Sequence, residues 1–208
     1  IMIKIRETNH MEYQEGMEQI DHSIMNKVLE MTDKYDYSKY TAWDVRNVLS
    51  KDSLTTEDLA VLLSPAAEPM LEQMAQRAKT ETAKHFGNTV CMFTPLYIAN
   101  YCENYCIYCG FNCHNKIRRA KLNAEEIDKE MAAIAKTGLQ EILILTGESK
   151  TASPVEYIAD AVRLAKKYFS TIGIEVYPMN SDEYALIKEA GADFVSVYQE
   201  TYNPVKYE

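Results

Sequence analysis

Apolar residues in the first ninety positions recur at the spacing of amphipathic helices. Thr55 is suited to cap a helix over residues 55–63. The run Ser64–Glu68 combines a capping serine, a proline at the first helical position and a glutamate, and predicts a second start. A long helix should follow and end near Gly87, with Met70, Leu71, Met74 and Ala78 on its apolar side. We therefore predict an amino-terminal helical region over residues 1–89.

From residue 90 onward, short apolar runs alternate with helices that carry clear start and stop signals. The strands are predicted at residues 91–99, 142–145, 172–178 and 194–199. The helices between them should begin at Asn123 with Glu126, at Ser153 with Glu156 and at Asn180 with Glu183, and two of them should end at Gly138 and Gly191. Four strands joined by three helices imply right-handed crossovers and a parallel sheet.

Polar residues follow each predicted strand. They are Asn100 with a cysteine-rich loop, Thr146-Gly147-Glu148, Met179-Asn180, and Gln199-Glu200-Thr201. In a βα-barrel the carboxyl ends of the strands form the functional face, so these groups should share one rim. Four strands cannot close a barrel, the first residue is Ile1, and the chain stops after the fourth strand. We expect residues 90–208 to be the first half of a barrel, truncated from a longer protein.

Composition narrows the range of partners. The 208 residues carry 22 basic and 31 acidic side chains, a net charge of −9, which argues against nucleic acid as a partner. The sequence contains no run of 18 apolar residues, so no membrane span is predicted. The first residues also lack the apolar core of a secretory signal. We therefore predict a cytoplasmic protein with no membrane partner.

Four of the five cysteines lie in YCENYCIYCGFNCHN, residues 101–115. In a reducing cytosol such a cluster is more often metal-binding or catalytic than disulfide-bonded. Cys102, Cys106 and Cys109 have the spacing C-x3-C-x2-C, and three thiolates can hold three irons of a [4Fe–4S] cluster while the fourth iron stays open. Cys91, alone in an apolar run, is predicted to be a buried strand residue.

Two other kinds of site remain open at this point. A structural zinc site usually has two separated ligand pairs, and here Cys113 and His114 would have to fold back to complete it. A saturated electron-transfer cluster could use Cys113 as its fourth ligand. Arg118 and Arg119 could neutralise a carboxylate, but a basic pair after a loop is more typical of a solvated face.

Several separated blocks carry a resemblance to a known family. They are PLYIANYCENYCIYCGFNCHNKIRRAKL, EILILTGES, YPMNSDEY and VYQETY, with SPAAEP and HFGN in the helical region. With the C-x3-C-x-aromatic-C loop after the first strand, they resemble the radical S-adenosylmethionine (radical SAM) superfamily and, within it, the 2-iminoacetate synthases, the tyrosine lyases of thiamin biosynthesis. The resemblance implies a TIM-type barrel, here with about four strands, a [4Fe–4S] cluster and S-adenosyl-L-methionine.

The resemblance also assigns roles to individual residues. Cys102, Cys106 and Cys109 would bind the cluster, and Tyr108 would lie against the adenine of S-adenosylmethionine. Thr146, Gly147 and Glu148 match the segment that holds the methionine ammonium, and Gln199 and Glu200 match positions near the ribose or the methionine moiety. Cys113 has no assigned role.

The implied reaction is cleavage of the Cα–Cβ bond of L-tyrosine. Its products would be 2-iminoacetate, p-cresol, 5′-deoxyadenosine and methionine, and the iminoacetate would supply the thiazole of thiamin. The implied partners are a low-potential reductant, flavodoxin or ferredoxin, and thiazole synthase. A related tyrosine lyase, which matures the diiron cofactor of hydrogenase and has a second cluster, is an alternative. A non-catalytic electron carrier or zinc-binding module is another.

Overall fold

Helices come first along the chain and strands later, as the apolar pattern predicts. The structure is a computed structural model that describes residues 13, 15–21, 23–32 and 34–198. It divides into a helical unit, residues 20–90, and an α/β unit that comprises residues 91–208 and 1–19 as far as they are described. Within the described part of the chain, no helix is both long and apolar enough to cross a membrane.

The helical unit is built from short helices around a small core. Its elements are α1 (Ser23–Thr32), a 3-10 helix (Tyr37–Lys39), α2 (Ala42–Leu49), α3 (Thr56–Leu62), a second 3-10 helix (Pro65–Met70) and α4 (Leu71–Phe86). The core consists of Val45, Val48, Val61, Ala67 and Met70. The predicted cap at Thr55 is confirmed, because its backbone N–H donates to the Asp58 carboxylate at 2.9 Å and its hydroxyl accepts from the Asp58 N–H.

The predicted start at Ser64 is confirmed in position, since Ser64 is the N-cap and Pro65 the first residue of a 3-10 helix, but the serine side chain does not cap it. The Ser64 hydroxyl donates to the Val61 carbonyl at 2.6 Å and makes no capping hydrogen bond. Pro69 lacks a backbone N–H and disfavours the α conformation in the residue before it. The segment therefore forms a 3-10 helix, and the long helix begins only at Leu71.

The long helix α4 ends as predicted but buries less than predicted. Gly87, with φ of 61°, follows its last residue. Of the predicted apolar side, Met70 is buried and Met74 is half-buried, whereas Leu71 and Ala78 are exposed.

The α/β unit has the predicted alternation of strands and helices. Its elements are β1 (Phe93–Ala99), α5 (Ala124–Ala135), β2 (Glu141–Thr146), α6 (Val155–Ala165), β3 (Thr171–Glu175), α7 (Ser181–Ala190) and β4 (Phe194–Ser196). The four strands pair in parallel in the order β1-β2-β3-β4. The expected α/β fold with four parallel strands is confirmed.

One face of the sheet packs against the helices and forms the main core. Alternate strand residues on this face are almost fully buried, namely Ile98, Ile142, Ile144, Ile172 and Ile174. The helices contribute Ile127, Met131, Ile158, Val162 and Ile187, among others. On the opposite face, Phe93, Tyr97 and Phe194 remain partly exposed. Burial of these alternate residues against the helices therefore fixes the register of the strands.

Helix starts in this unit follow the sequence signals with one exception. The capping box of Asn123 and Glu126 at α5 is confirmed. The box predicted at Ser153 is wrong, because the carbonyl of Pro154 accepts the first helical hydrogen bond and Pro154 occupies the N-cap. The buried Ser153 hydroxyl has no hydrogen-bond partner within the described residues.

Strand boundaries differ from prediction at the start of β1 and at the ends of β3 and β4. Pairing of β1 with β2 begins at Phe93, so Cys91 precedes the strand and is exposed rather than buried. The strand β3 ends at Glu175 and β4 at Ser196, earlier than the sequence predicts.

Candidate functional site

A long loop leaves the carboxyl end of β1 and returns to the same place. We call residues 100–120 the cysteine loop. The Asn100 N–H donates to the Ala120 carbonyl at 3.1 Å, and the Leu122 N–H donates to the Ile98 carbonyl at 2.9 Å. Four cysteines lie in this loop at the carboxyl rim of the sheet, which is where the sequence pattern predicts them.

The first part of the cysteine loop is clamped onto the turn that follows β2. The Glu103 N–H donates to the Glu148 carbonyl at 2.9 Å, and the Ser149 hydroxyl donates to the Glu103 carboxylate at 2.7 Å. The Asn104 side-chain amide donates to the Glu148 carboxylate. These reciprocal bonds hold residues 103–104 against residues 148–149.

Gly147 allows this close approach. Its N–H donates to the Ala99 carbonyl at 2.9 Å. A Cβ at this position would collide with the Tyr101 carbonyl and would lie 3.2 Å from the Cβ of Cys102. Here glycine provides space for the backbone of the cysteine loop itself. Next to it, the buried hydroxyl of Thr146 has no hydrogen-bond partner among the residues that the structure describes.

Cys102 is the buried member of the cysteine set, with 8% of its surface exposed. Burial raises the pKa of its thiol, and the negative charges of Glu148 and Cys109 raise it further. Hydrogen bonding by the backbones of Asn104 and Glu148 acts in the opposite direction and favours the thiolate. The clamp therefore supplies both the burial and the hydrogen-bond donors around this sulfur.

Cys106 and Cys109 lie farther out along the loop. Cys106 is exposed and Cys109 is half-buried, and the Cys109 N–H donates to the Cys106 carbonyl at 3.1 Å. Partial burial raises the pKa of Cys106, and charge on Cys102 and Cys109 adds to the effect. Within the described chain, no three His, Cys, Asp or Glu side chains already stand at metal-ligand spacing.

Arg119 has a role in the site that sequence reasoning missed. Its guanidinium donates to the carbonyls of Asn100 and Phe111 at 2.7 and 2.8 Å. It also donates to the carbonyl of Asn112 at 2.7 Å and contacts that of Asn115 at 3.5 Å. The sequence gives no signal for this role, because the carbonyls that bind the side chain become neighbours only when the loop folds.

Of the remaining predicted site residues, the structure describes Tyr108 but not Gln199 or Glu200. Tyr108 is 66% exposed. Tyr97, on the open face of β1, contacts Phe111 of the loop edge-to-face with ring centroids 5.1 Å apart. This ring contact places the open sheet face close to the cysteine loop. Burial raises the pKa of Tyr97, and the charges of Glu175 and Cys109 raise it further. The predicted residues Gln199 and Glu200 lie outside the described residues.

A family match accounts for this arrangement. The model of the radical SAM superfamily matches residues 96–207, more than half of the chain. The match covers the end of β1, the whole cysteine loop and the turn after β2. The chain belongs to the radical SAM superfamily. Members of this superfamily use a [4Fe–4S] cluster and S-adenosylmethionine, which confirms the predicted cofactors.

Individual relatives within the superfamily differ in their reactions. The 2-iminoacetate synthase of Escherichia coli is 43% identical over 80% of this chain and 44% of its own length. The 3-methylornithine synthase of Methanosarcina acetivorans is 33% identical over 74% of this chain and 45% of its own. The crystal structure of HydG, a maturase of the [FeFe]-hydrogenase, superposes with a TM-score of 0.79 at 27% identity, over 88% of this chain and 42% of that one. The chain thus spans about half the length of these relatives, and its sheet corresponds to part of their radical SAM barrel.

The residues at this rim fit the cofactors of the superfamily. Burial raises the pKa of the Cys102 and Cys106 thiols, and a cationic iron centre would stabilise both as thiolates. Backbone donors beside the Cys102 sulfur are of the kind that tunes iron–sulfur centres. The Thr146 hydroxyl, next to Gly147, is a buried polar group with no hydrogen-bond partner among the described residues, as expected where a bound ligand supplies one.

Proposed function

We propose that this protein is a radical SAM tyrosine lyase of the 2-iminoacetate synthase kind. It would cleave the Cα–Cβ bond of L-tyrosine to 2-iminoacetate and p-cresol, with formation of 5′-deoxyadenosine and methionine. The observation that carries the proposal is the cysteine loop clamped to the turn after β2, within a chain 43% identical to a 2-iminoacetate synthase.

The proposed ligands of the cluster are Cys102, Cys106 and Cys109. When bound, the cluster supplies one electron for reductive cleavage of S-adenosylmethionine, which starts the radical reaction. The residues of this chain bind, orient and shield. Cys102 is fixed and buried by the clamp, and the other two thiols complete the set from the outer part of the loop.

Residues next to the cysteines are proposed to hold S-adenosylmethionine. Tyr108 would stack on its adenine. Thr146, Gly147 and Glu148 would hold its methionine ammonium, and the Thr146 hydroxyl, which has no hydrogen-bond partner among the described residues, would be one hydrogen-bonding group. The Glu148 carboxylate is already oriented by the Asn104 amide, so it can present negative charge without a change of rotamer. Gln199 and Glu200 would contact the ribose or the methionine moiety.

The proposed partners follow from the reaction. A low-potential reductant such as flavodoxin or ferredoxin would deliver the electron, and thiazole synthase would consume the reactive imine. In domain terms, we propose that residues 1–89 form a helical region and that residues 90–208 belong to the barrel.

Anaerobic reconstitution of the full-length gene product with iron, sulfide, dithionite, S-adenosylmethionine and tyrosine tests the proposal. The expected result is p-cresol and 5′-deoxyadenosine in equal amounts, and an electron paramagnetic resonance spectrum of the reduced cluster that changes when S-adenosylmethionine is added. A cluster whose spectrum ignores S-adenosylmethionine would instead identify an electron carrier. A single bound zinc ion and no cluster would identify a zinc module.

The similarity to HydG favours a second candidate, the tyrosine lyase of hydrogenase maturation. Both candidates release p-cresol, so the product alone does not separate them. The maturase would carry a second cluster, bound by a further C-x2-C pair. Two clusters per chain in the reconstituted gene product would favour the maturase, and one cluster would favour the thiamin enzyme.

A further inference from the structure

One guanidinium group spans the two ends of the segment that carries the cysteines. Arg119 donates to Asn100, the first residue after β1, and to Phe111 and Asn112, which follow the last proposed ligand. The chain between these contacts contains Cys102, Cys106 and Cys109. The side chain therefore closes a twelve-residue segment, Asn100 to Phe111, at its base.

The backbone that carries Arg119 is itself anchored to β1. The Asn100 side-chain amide donates to the Arg118 carbonyl at 2.9 Å, and its oxygen accepts from the Ala120 N–H at 2.7 Å. Residues on both sides of Arg119 are thus bound by one side chain. Because the backbone on either side of Arg119 is held in place, the hydrogen bonds of its guanidinium restrain the position of the loop.

Only arginine has the geometry for these contacts. Its planar guanidinium presents five N–H donors in a rigid fork, whereas lysine presents one compact ammonium on a flexible stem. The contacted carbonyls belong to Asn100, Phe111 and Asn112 at 2.7 to 2.8 Å, with Asn115 at 3.5 Å. Arg118, its exposed neighbour, makes no side-chain hydrogen bond among the described residues and offers a matched control.

We propose that Arg119 is a positioning residue that keeps the cysteine loop closed and so limits how far Cys106 and Cys109 must move to join Cys102 when iron binds. The proposal rests on the proposed function, in which these three thiols bind the cluster. Without the guanidinium, the outer thiols would have to be gathered at the moment of assembly, at the cost of ordering the loop.

Binding of Cd²⁺ to the apo full-length protein tests loop closure without the cluster. Thiolate-to-cadmium charge-transfer absorption reports three-sulfur binding. We expect Arg119→Ala and Arg119→Lys to weaken Cd²⁺ binding by about tenfold, since bonds to a charged donor are lost. Arg118→Ala should leave it unchanged, and added methylguanidinium should restore binding in Arg119→Ala only. Equal affinities in all proteins, or no three-sulfur binding in the wild type, would overturn the proposal.

The same variants, reconstituted anaerobically, separate this inference from the proposed function. Circular dichroism melting first establishes that each variant is folded, and any unfolded variant is replaced by Arg119→Gln. We expect lower iron and sulfide per chain in the Arg119 variants, and recovery of both with methylguanidinium. If the wild type assembles a cluster that ignores S-adenosylmethionine, the proposed function fails. If it responds and the Arg119 variants match it in Cd²⁺ binding and iron content, the role of Arg119 fails.

Discussion

The two parts of the cysteine loop differ in what holds them. Glu103 and Asn104 are bonded to the turn after β2, and Cys102 next to them is only 8% exposed. In residues 105–110, Ile107 is 98% exposed, and the carbonyls of Cys106 and Cys109 accept hydrogen bonds from other residues of the loop. The sheet therefore fixes the first thiol, whereas the positions of the other two depend on how the loop closes on itself.

This difference suits the proposed iron–sulfur site. A single buried thiol would define where the cluster sits, and the two outer thiols could adjust around it. Burial of all three thiols would bring a larger desolvation cost for three negative charges. Exposure of all three would leave the site without a fixed geometry.

Replacement of the cysteines gives the largest expected effect. In the full-length gene product, alanine at Cys102, Cys106 or Cys109 should abolish cluster assembly and 5′-deoxyadenosine formation, since each thiolate would bind one iron. Iron and sulfide analysis with product chromatography measures both.

Cys113→Ala is the matched control for these variants. Cys113 lies in the same loop and is half-buried, and its N–H donates to the Asn104 carbonyl at 2.8 Å. That bond uses the backbone, so alanine preserves it, and assembly should stay close to wild type. Equal damage from all four replacements would point to a saturated cluster with Cys113 as its fourth ligand.

Gly147→Ala should have the second largest effect, because it disturbs the contact between the cysteine loop and the turn after β2. The added Cβ would collide with the Tyr101 backbone, which cannot move without displacing Cys102. We expect a loss of about 1–3 kcal/mol in the free energy of unfolding, measured with urea, together with reduced cluster content. Gly110→Ala is the control in the outer part of the loop, where nothing lies within 4 Å of the new Cβ, and should be nearly neutral. Similar losses from both would contradict the contrast between the two parts.

The sequence predicts the scaffold of the site well because the scaffold depends on local signals. The buried strand at residues 142–145 and the capping box at Asn123 each depend on residues close together in the sequence, and both are confirmed. Ser153 fails as a cap because the turn at Pro154 decides which carbonyl starts the helix. Cys91 fails as a buried residue because the start of β1 is set by pairing with β2.

The contacts within the site were less predictable. The spacing of the three cysteines indicates a cluster loop, and the family match is consistent with it. The clamp between Glu103 and Ser149 joins residues 46 positions apart, and Arg119 acts on carbonyls 4 to 19 positions away. The first pairing follows from the crossover between β1 and β2 and the second from the folding of the loop on itself, and no local pattern encodes either.

Ser149→Ala should have a smaller effect on the same clamp. It removes the bond to the Glu103 carboxylate and the bond that the Ser149 hydroxyl accepts from the Ala152 N–H at 3.2 Å. Because Ser149 is buried, we expect a loss of about 1–2 kcal/mol in urea unfolding. Ser170→Ala, which removes an exposed hydroxyl bonded to the Gln140 carbonyl, should cost less than about 0.5 kcal/mol. A Ser149 variant as stable as the Ser170 variant would show that the clamp bond is dispensable.

The smallest effect is a difference in thiol reactivity that leaves the fold intact. Only the thiolate is alkylated, and burial raises the pKa of Cys102, so its labelling in the apo protein should rise with pH at values above the ordinary thiol pKa of about 8.5. Exposed Cys106, whose pKa is also raised, should still be labelled faster because the reagent can reach it. Iodoacetamide with mass spectrometry measures both rates, and in guanidinium chloride the two should converge on the ordinary value. Cys102 labelled as fast as exposed Cys91 at about pH 8 would mean that the sheet does not bury the first thiol, and the contrast between the two parts of the loop would be lost.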